Sequence, residues 1–419
     1  MASTTKFGIL VLIFSFLIPG LGVADDLEKN LDITGQMRIR HELNDKDFNE
    51  DTDSFRNSFL RTRINFRTKF EDKLNVFVQV QDARVFGTES STLADGSADA
   101  LDIHQAYFQI NRLFWSWLSM KTGRMEMVYG GQRLIGAVGW HNIGRSFDGS
   151  KLTFTFDPVE VDIFSALLYE SGQAPDSADG DQFFGGIYAK THFLEGHTLD
   201  FYLLANVDTQ ENADEDPLST LGTFGAYYKG KFSAVDLEAE IAFQGGEDNT
   251  GAEKVDIAAS MITGSVGYTL DHKLKPRIAI GIDMLSGNDP DKGDEYGCFN
   301  TLFATNHKFY GFMDYFLNVP LHTSGAGLTD MMVKASLHPC KKIMVKADFH
   351  MFATSEKVDI NGSEEDALGT EVDLTLVFKY LKNVKFNLGL SFFSPDEVMK
   401  SFRGEDSATW GYCQTVVNF

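Results

Sequence analysis

Long apolar runs are almost absent from this 419-residue chain, which excludes a bundle of membrane helices, since each helix would need about 20 consecutive apolar residues. The single strong run, Phe7–Ile18, lies at the start. Positive charge is also short: 37 Lys and Arg stand against 60 Asp and Glu, and a net charge of -23 repels phosphate backbones, so nucleic acid is excluded as a partner. The three cysteines, Cys298, Cys340 and Cys413, are far apart and odd in number, giving neither a disulfide framework nor a metal-ligand spacing. The ten His are scattered, and there is no HExxH, no GxSxG and no Gly-rich phosphate loop, so neither an enzyme nor a metal or other cofactor is expected. What the chain has is 36 Phe and 38 Gly, with 13% aromatic residues at a mean hydropathy of -0.17. At 43% hydrophobic residues it has too much apolar content for a disordered chain.

The N-terminus reads as a cleaved secretory signal over residues 1–24. Lys6 gives the positive end, Phe7–Ile18 the apolar core, Pro19 and Gly20 the break, and Gly22 and Ala24 the small residues before cleavage. The remainder, 25–419, reads as one domain of period-two segments. Arg61, Arg63, Asn65, Arg67 and Lys69 share one parity, while Leu60, Ile64, Phe66 and Phe70 share the other. A strand places each set on its own face, whereas a helix would scatter both. The same alternation returns in Glu371–Tyr380 and Lys385–Phe392.

Connections alternate between short and long. Short ones fall at Glu71-Asp72, Arg112–Ser116, Asp157-Pro158, Leu194–His197, Gly230–Ala234, Asp271–Lys273, Pro339–Lys341 and Lys382-Asn383. Long polar ones include Leu43–Arg56, Phe86–Ala98, Ser171–Gln182, Asp208–Pro217, Ser286–Gly325, Thr354–Leu368 and Pro395–Ser407. This spacing predicts an all-β, antiparallel, up-and-down transmembrane barrel of eighteen strands, with sixteen as the alternative, having short periplasmic turns and long outer loops. The chain ends on Phe419, and a terminal Phe on a last strand resembles the assembly signal of Gram-negative outer-membrane barrels.

The stretch Gly123-Arg124, Tyr129-Gly130, Arg133–Gly136, Trp140, Asn142, Arg145 and Phe147–Gly149 resembles the central signature of the alginate-export family of outer-membrane barrels. His307–Gly311 with Asp314, Gly369–Asp373 and Trp410–Tyr412 extend the resemblance over most of the mature chain, with one departure: Met125 stands where many members carry Gln. The resemblance implies an eighteen-stranded barrel with an arginine-rich conduction path, and periplasmic partners if the protein exports. A fold hosts many functions, so the substrate does not transfer with it.

Eleven of the thirteen Arg lie between Arg38 and Arg145. Arg38, Arg40, Arg61, Arg63, Arg67, Lys69 and Lys121 have inward parity, and Arg124, Arg133 and Arg145 of the signature complete an expected pore-lining basic set. The competing reading is that these arginines pair with acids and only brace the wall. Asp236, Glu238 and Glu240 share inward parity on the eleventh strand, nine places from the second, so an acidic wall is expected opposite the basic one, with a transverse field between them. The acidic outer loops read as solvated, and the Asn288–Asp294 stretch lacks the flanks of a calcium loop. The forty residues from Ser286 to Gly325 are dense in aromatics. They are expected either to fold inward and narrow the mouth, with Phe303, His307, Phe309, Tyr310 and Asp314 as the candidate residues, or to lie as a lid on the rim.

The expectation is a monomeric outer-membrane channel that meets membrane lipid outside and passes hydrophilic, anionic solutes or polysaccharide. The alternatives are a dedicated exopolysaccharide exporter with periplasmic partners, an outer-membrane hydrolase, and a structural surface protein. Without the signal the net charge is -24, of which -3 belongs to residues 25–150 and -21 to the rest. The acidity of the whole therefore does not describe the arginine-rich side.

Overall fold

Alternation of apolar and polar residues dictates strands whose two faces meet different solvents, and such strands leave no backbone group unpaired only if the sheet closes. The structure, a computed structural model, describes residues 30–86, 101–169, 181–211, 217–249, 254–293 and 295–419. The expected signal segment and parts of the expected loops Phe86–Ala98, Ser171–Gln182 and Asp208–Pro217 lie outside the described residues.

In chain order the strands are β1 (Leu31–Asp45), β2 (Phe55–Phe70), β3 (Leu74–Phe86), β4 (Leu101–Ile110), β5 (Leu118–Met125), β6 (Phe147–Phe156) and β7 (Val159–Tyr169). There follow β8 (Gln182–Thr191), β9 (Thr198–Glu211), β10 (Pro217–Phe232), β11 (Val235–Asp248), β12 (Val255–Thr269) and β13 (Arg277–Leu285). The last are β14 (Glu295–Tyr296), β15 (Leu328–Cys340), β16 (Ile343–Ile360), β17 (Ser363–Lys379), β18 (Val384–Pro395) and β19 (Ala408–Asn418). Each strand pairs antiparallel with its sequence neighbours, except that β13 pairs directly with β15, and the two-residue β14 lies parallel to the start of β12. β1 pairs with both β2 and β19, so eighteen strands form a closed barrel, in agreement with the expected count.

The seam shows how closure is made. Gln36 lies opposite Asn418, and the Gly35 N–H donates to the Phe419 carbonyl at 2.6 Å. A Cβ on Gly35 would fall 2.5 Å from the Phe419 ring, so a side chain there would push that exposed terminal ring aside. The two faces sort as the alternation requires. Leu374, Leu376, Ile241, Phe243 and Ile280 are exposed on the outside, while Glu371, Asp373, Glu240 and Asp283 between them are buried inside. The aromatic excess is divided between this lipid face and the interior.

Two loop expectations change. Thr354–Leu368 is not irregular: β16 and β17 continue past it as a hairpin closed at Asn361-Gly362, both with positive φ, because the pairing Val358↔Glu365 carries on beyond a bulge. The expected loop Pro395–Ser407 contains a short helix, α2 (Glu397–Phe402), N-capped by Asp396. The other helix, α1 (Val319–His322), is one turn within the Ser286–Gly325 stretch.

Candidate functional site

The period-two pattern stops at Met125 and resumes at Phe147, and the chain between β5 and β6 turns into the barrel. Five glycines, at 130, 131, 136, 139 and 144, loosen it. This inserted segment reaches two distant arcs of the wall. At one end Arg38 donates to the Gly139 carbonyl at 2.8 Å and the His141 carbonyl at 3.1 Å, and Arg40 donates to the Trp140 carbonyl at 2.7 Å. Arg61 donates to the same Gly139 and His141 oxygens at 3.2 and 3.1 Å, and Arg63 donates to the Ile143 carbonyl at 2.9 Å. At the other end Arg133 pairs with Asp283 of β13 at 2.6 Å, and a Cβ on Gly131 would lie 3.1 Å from Glu238 of β11. The segment therefore crosses from the β1–β2 arc to the β11–β13 arc.

A second inserted segment comes from the long Ser286–Gly325 connection. It is stitched to the first by backbone hydrogen bonds: Phe303 N–H to the Leu134 carbonyl at 2.8 Å, Gly136 N–H to the Phe303 carbonyl at 2.9 Å and Thr305 N–H to the Gln132 carbonyl at 2.9 Å. Its far side is held by β17, where the N–H groups of Met313 and Phe312 donate to Glu371 at 2.8 Å and Asp373 at 3.2 Å. A stack runs across the join: Arg40 lies 4.0 Å over Trp140, Trp140 lies 4.3 Å from His307, and His307 lies 5.1 Å from Phe312. His307 and Asp314 are 2.7 Å apart.

The five candidate mouth residues, Phe303, His307, Phe309, Tyr310 and Asp314, all belong to this inserted layer. Phe309 faces the Arg133 guanidinium at 3.9 Å, and Phe303 packs on Phe147 and Phe184 of the wall. Lys308 donates to the Gly131 carbonyl at 2.8 Å, and burial holds its ammonium below the ordinary value against the pull of Glu238. Arg145 donates to the Ala304 carbonyl at 3.1 Å, and burial lowers it too.

With Arg133 and Arg145 in the inserted segment itself, the other basic residues of the sequence reading fall into three groups. Arg38, Arg40, Arg61 and Arg63 are 4 to 9% exposed and covered by the first segment, so they are not a bare wall. Arg67, Lys69 and Lys121 point to the lumen side. Arg67 sits 5.2 Å from the Phe77 ring and Lys121 4.5 Å from the Tyr107 ring, while Lys151 and Lys190 both reach Asp162. Arg124 does not line the pore. Its register puts it opposite Ala106 and Asp148, on the parity that alternates with inward-facing Lys121 and Met125, where it pairs with Asp148 at 2.8 Å on the outer face. The motif that marks Arg124 does not fix the face on which its side chain lands.

The acidic row is on the eleventh strand as expected, but it is bridged locally. Asp236 pairs with Arg277 at 2.5 Å, Glu238 with Lys229 at 2.9 Å, and Glu240 accepts from the Tyr202 hydroxyl at 2.9 Å. The two inserted segments lie between this row and the arginines. Sequence reasoning missed the first segment as a loop, along with the tyrosine–carboxylate pairs Tyr129–Asp162 and Tyr188–Asp200. The glycine density and the break in alternation between Glu126 and Ser146 were the available signal. Towards the short-turn end a cleft of about 620 Å³ is lined by His192, His197, Lys229, Asp236, Glu238 and Arg277.

A family model described as "Alginate export" matches residues 29–412. No curated protein sequence matches this chain. Similar solved structures include three proteins of Pseudomonas aeruginosa. OpdL superposes with a TM-score of 0.62 at 9% identity, covering 93% of this chain and 98% of its own. OccK11 (OpdR) does so at 0.60 and 12%, covering 93% and 96%, and OprD at 0.60 and 11%, covering 93% of each chain. At these identities the likeness is one of fold.

Proposed function

The chain belongs to the alginate-export family and forms an outer-membrane channel, and from that premise we propose that it passes hydrophilic, anionic solutes or polysaccharide by passive diffusion. The observation that carries the reading is the composition of the lumen side along β2 and β5. There Arg67 and Lys121 rest on aromatic rings, and among the described residues no carboxylate lies within ion-pair distance of either. A cation resting on a ring keeps its charge available to a passing anion, whereas one in a carboxylate pair is largely neutralised. The acidic arc of β11 is matched by Arg277 and Lys229, so it opposes anions less than its sequence suggests. No catalytic role is assigned.

Export of polysaccharide with periplasmic partners is the second reading, favoured by the family description. The short-turn cleft with its mixed charges is where such a partner or its cargo would first meet the chain.

Reversal potentials in planar bilayers under a salt gradient test the main reading. Anion selectivity is expected, and it should fall when Arg67→Gln and Lys121→Gln are combined. Cation selectivity in the unaltered protein would sink the proposal.

A further inference from the structure

β5 has eight residues, the fewest of the eighteen strands in the wall. At a rise of about 3.3 Å per residue and a tilt of about 40° it reaches about 20 Å, short of an apolar band about 25 Å tall. The wall is therefore interrupted above it. The uppermost β4–β5 pair is Ala106↔Arg124, and the uppermost β6–β7 pair is Asp148↔Leu167. From there β4 runs on to Leu101 beside β3 alone, and β7 runs on to Tyr169 beside β8 alone. Ser146 donates to the His104 carbonyl on the β4 edge, and among the described residues no strand pairs with that edge. An open sheet edge is not found facing hydrocarbon, because its N–H and C=O groups would lack partners there.

The outer face is polar at the same level. Arg124 and Asp148 pair at 2.8 Å, and the Thr122 and Ser150 hydroxyls are 3.1 Å apart. Asp82 and Arg84 of β3 also pair at 2.8 Å, on positions opposite Thr62 and Leu60 of β2. The depth follows from the aromatic girdle at the short-turn end, where Trp117 stacks on Trp115 at 5.0 Å and on Phe154 at 5.9 Å. Asp148 lies six positions along β6 from Phe154, about 15 Å higher by the same rise and tilt, and so within the apolar band. Charge on a lipid-facing position at that depth is destabilising. Shortness of the strand does not by itself bring polarity: β13, with nine residues, exposes Ile278, Ile280, Ile282 and Met284 on its outer face.

The charges decide what covers the gap. Arg124 stands between two carboxylates, Asp148 at 2.8 Å and Asp102 at 3.9 Å, and the Asp102 side chain is 58% exposed. Two acids against one base repel a lipid phosphate. A patch carrying both signs suits a second copy of itself, since a two-fold contact sets the same surface against its own image. We propose that the β4–β7 arc is where two copies of this chain meet in the outer membrane, about a two-fold axis near Ser150, with Arg124 of each copy against Asp102 of the other. Each copy then shields the open edges of the other from lipid. The sequence reading expects a monomer because the polarity of one arc emerges only when strand register is known.

The test is disulfide cross-linking in intact outer membranes. Cys340→Ser and Cys413→Ser remove the exposed thiols, and the buried Cys298 stays. In that background Ser150→Cys should give a dimer band on oxidation, whereas Leu376→Cys, exposed on the outer face of β17, should not. Protein extracted in mild detergent should have twice the mass of one chain by native mass spectrometry. Arg124→Asp should lose both the cross-link and the doubled mass, and adding Asp102→Arg should restore them, with the heat-modifiable band on gels showing that each variant has assembled. A single-chain mass with no cross-link from Ser150→Cys overturns the proposal and leaves the gap to lipid headgroups. Equal cross-linking from Leu376→Cys, the mark of random collision, overturns it as well.

Discussion

Arg133 and Asp283 illustrate how much one pair can decide. Asp283 is 1% exposed, and Arg133 reaches it at 2.6 Å while stacking 3.9 Å over Phe309. Removing one partner leaves a buried charge without compensation, which costs about 3–5 kcal/mol, whereas replacing both with apolar groups of similar volume is often close to neutral. Arg133→Met should therefore lower thermal stability sharply, and adding Asp283→Leu should restore most of it, as measured by heat-induced unfolding in detergent. Failure of the second change to rescue the first would show that the pair is not the anchor. At this scale legibility was uneven. Parity put Arg38, Arg61 and Glu240 on the inward side of their strands, where all three are buried, because alternation is a local property. The partners were not legible, because Arg61 and Gly139 are separated by 78 residues and no local rule joins them.

Among the elements, the inserted segments matter more than the strands. The first gives its carbonyls to arginines of β1 and β2 and the second gives its N–H groups to carboxylates of β17, so opposite polarities of the same backbone groups fix the two layers to different arcs. Ser391 of β18 donates to Asp373 and steadies that attachment. Deleting Phe303–Phe316 removes the second layer together with the strap at Phe303 that pairs with Leu134 and Gly136, so single-channel conductance should rise severalfold. An unaltered conductance would place both layers outside the conduction path. Strand existence was readable from alternation alone. The long connection after β13 was readable as a loop, but its inward fold was not, because aromatic density is equally compatible with a lid on the rim. The connection after β5 was not seen as a loop at all. Its residues were noticed as a motif, and a motif says nothing about the face on which each side chain lands, which is also why Arg124 was misplaced.

For the whole molecule, closure is the deciding feature. An open sheet of this size would expose rows of unpaired N–H and C=O groups to lipid, and the seam between β1 and β19 removes them. Gly35→Val would set side-chain atoms against the Phe419 ring, already 2.5 Å from where a Cβ would sit. The expected outcome is a folded, heat-modifiable band on gels that converts to unfolded chain at a lower temperature, because the exposed ring must move aside. The eighteen-strand count and the antiparallel order were both legible, since turn lengths and hydrophobic period are carried by neighbouring residues. The uneven charge was legible as well, and the structure gives it a location: the acid-rich later strands supply the partners for Arg277, Lys229 and Arg133.

That seam also governs how the molecule can form. Gln36 and Asn418 bond side chain to side chain across 382 residues of sequence, so the last contact of the sheet joins the two ends of the chain. Contacts between distant residues are slow to form because the entropy of closing the intervening chain is lost before they contribute. The barrel therefore has no stopping place short of its full length. A chain lacking only its final strand would present two unsatisfied edges to the bilayer, and synthesis must finish before insertion can.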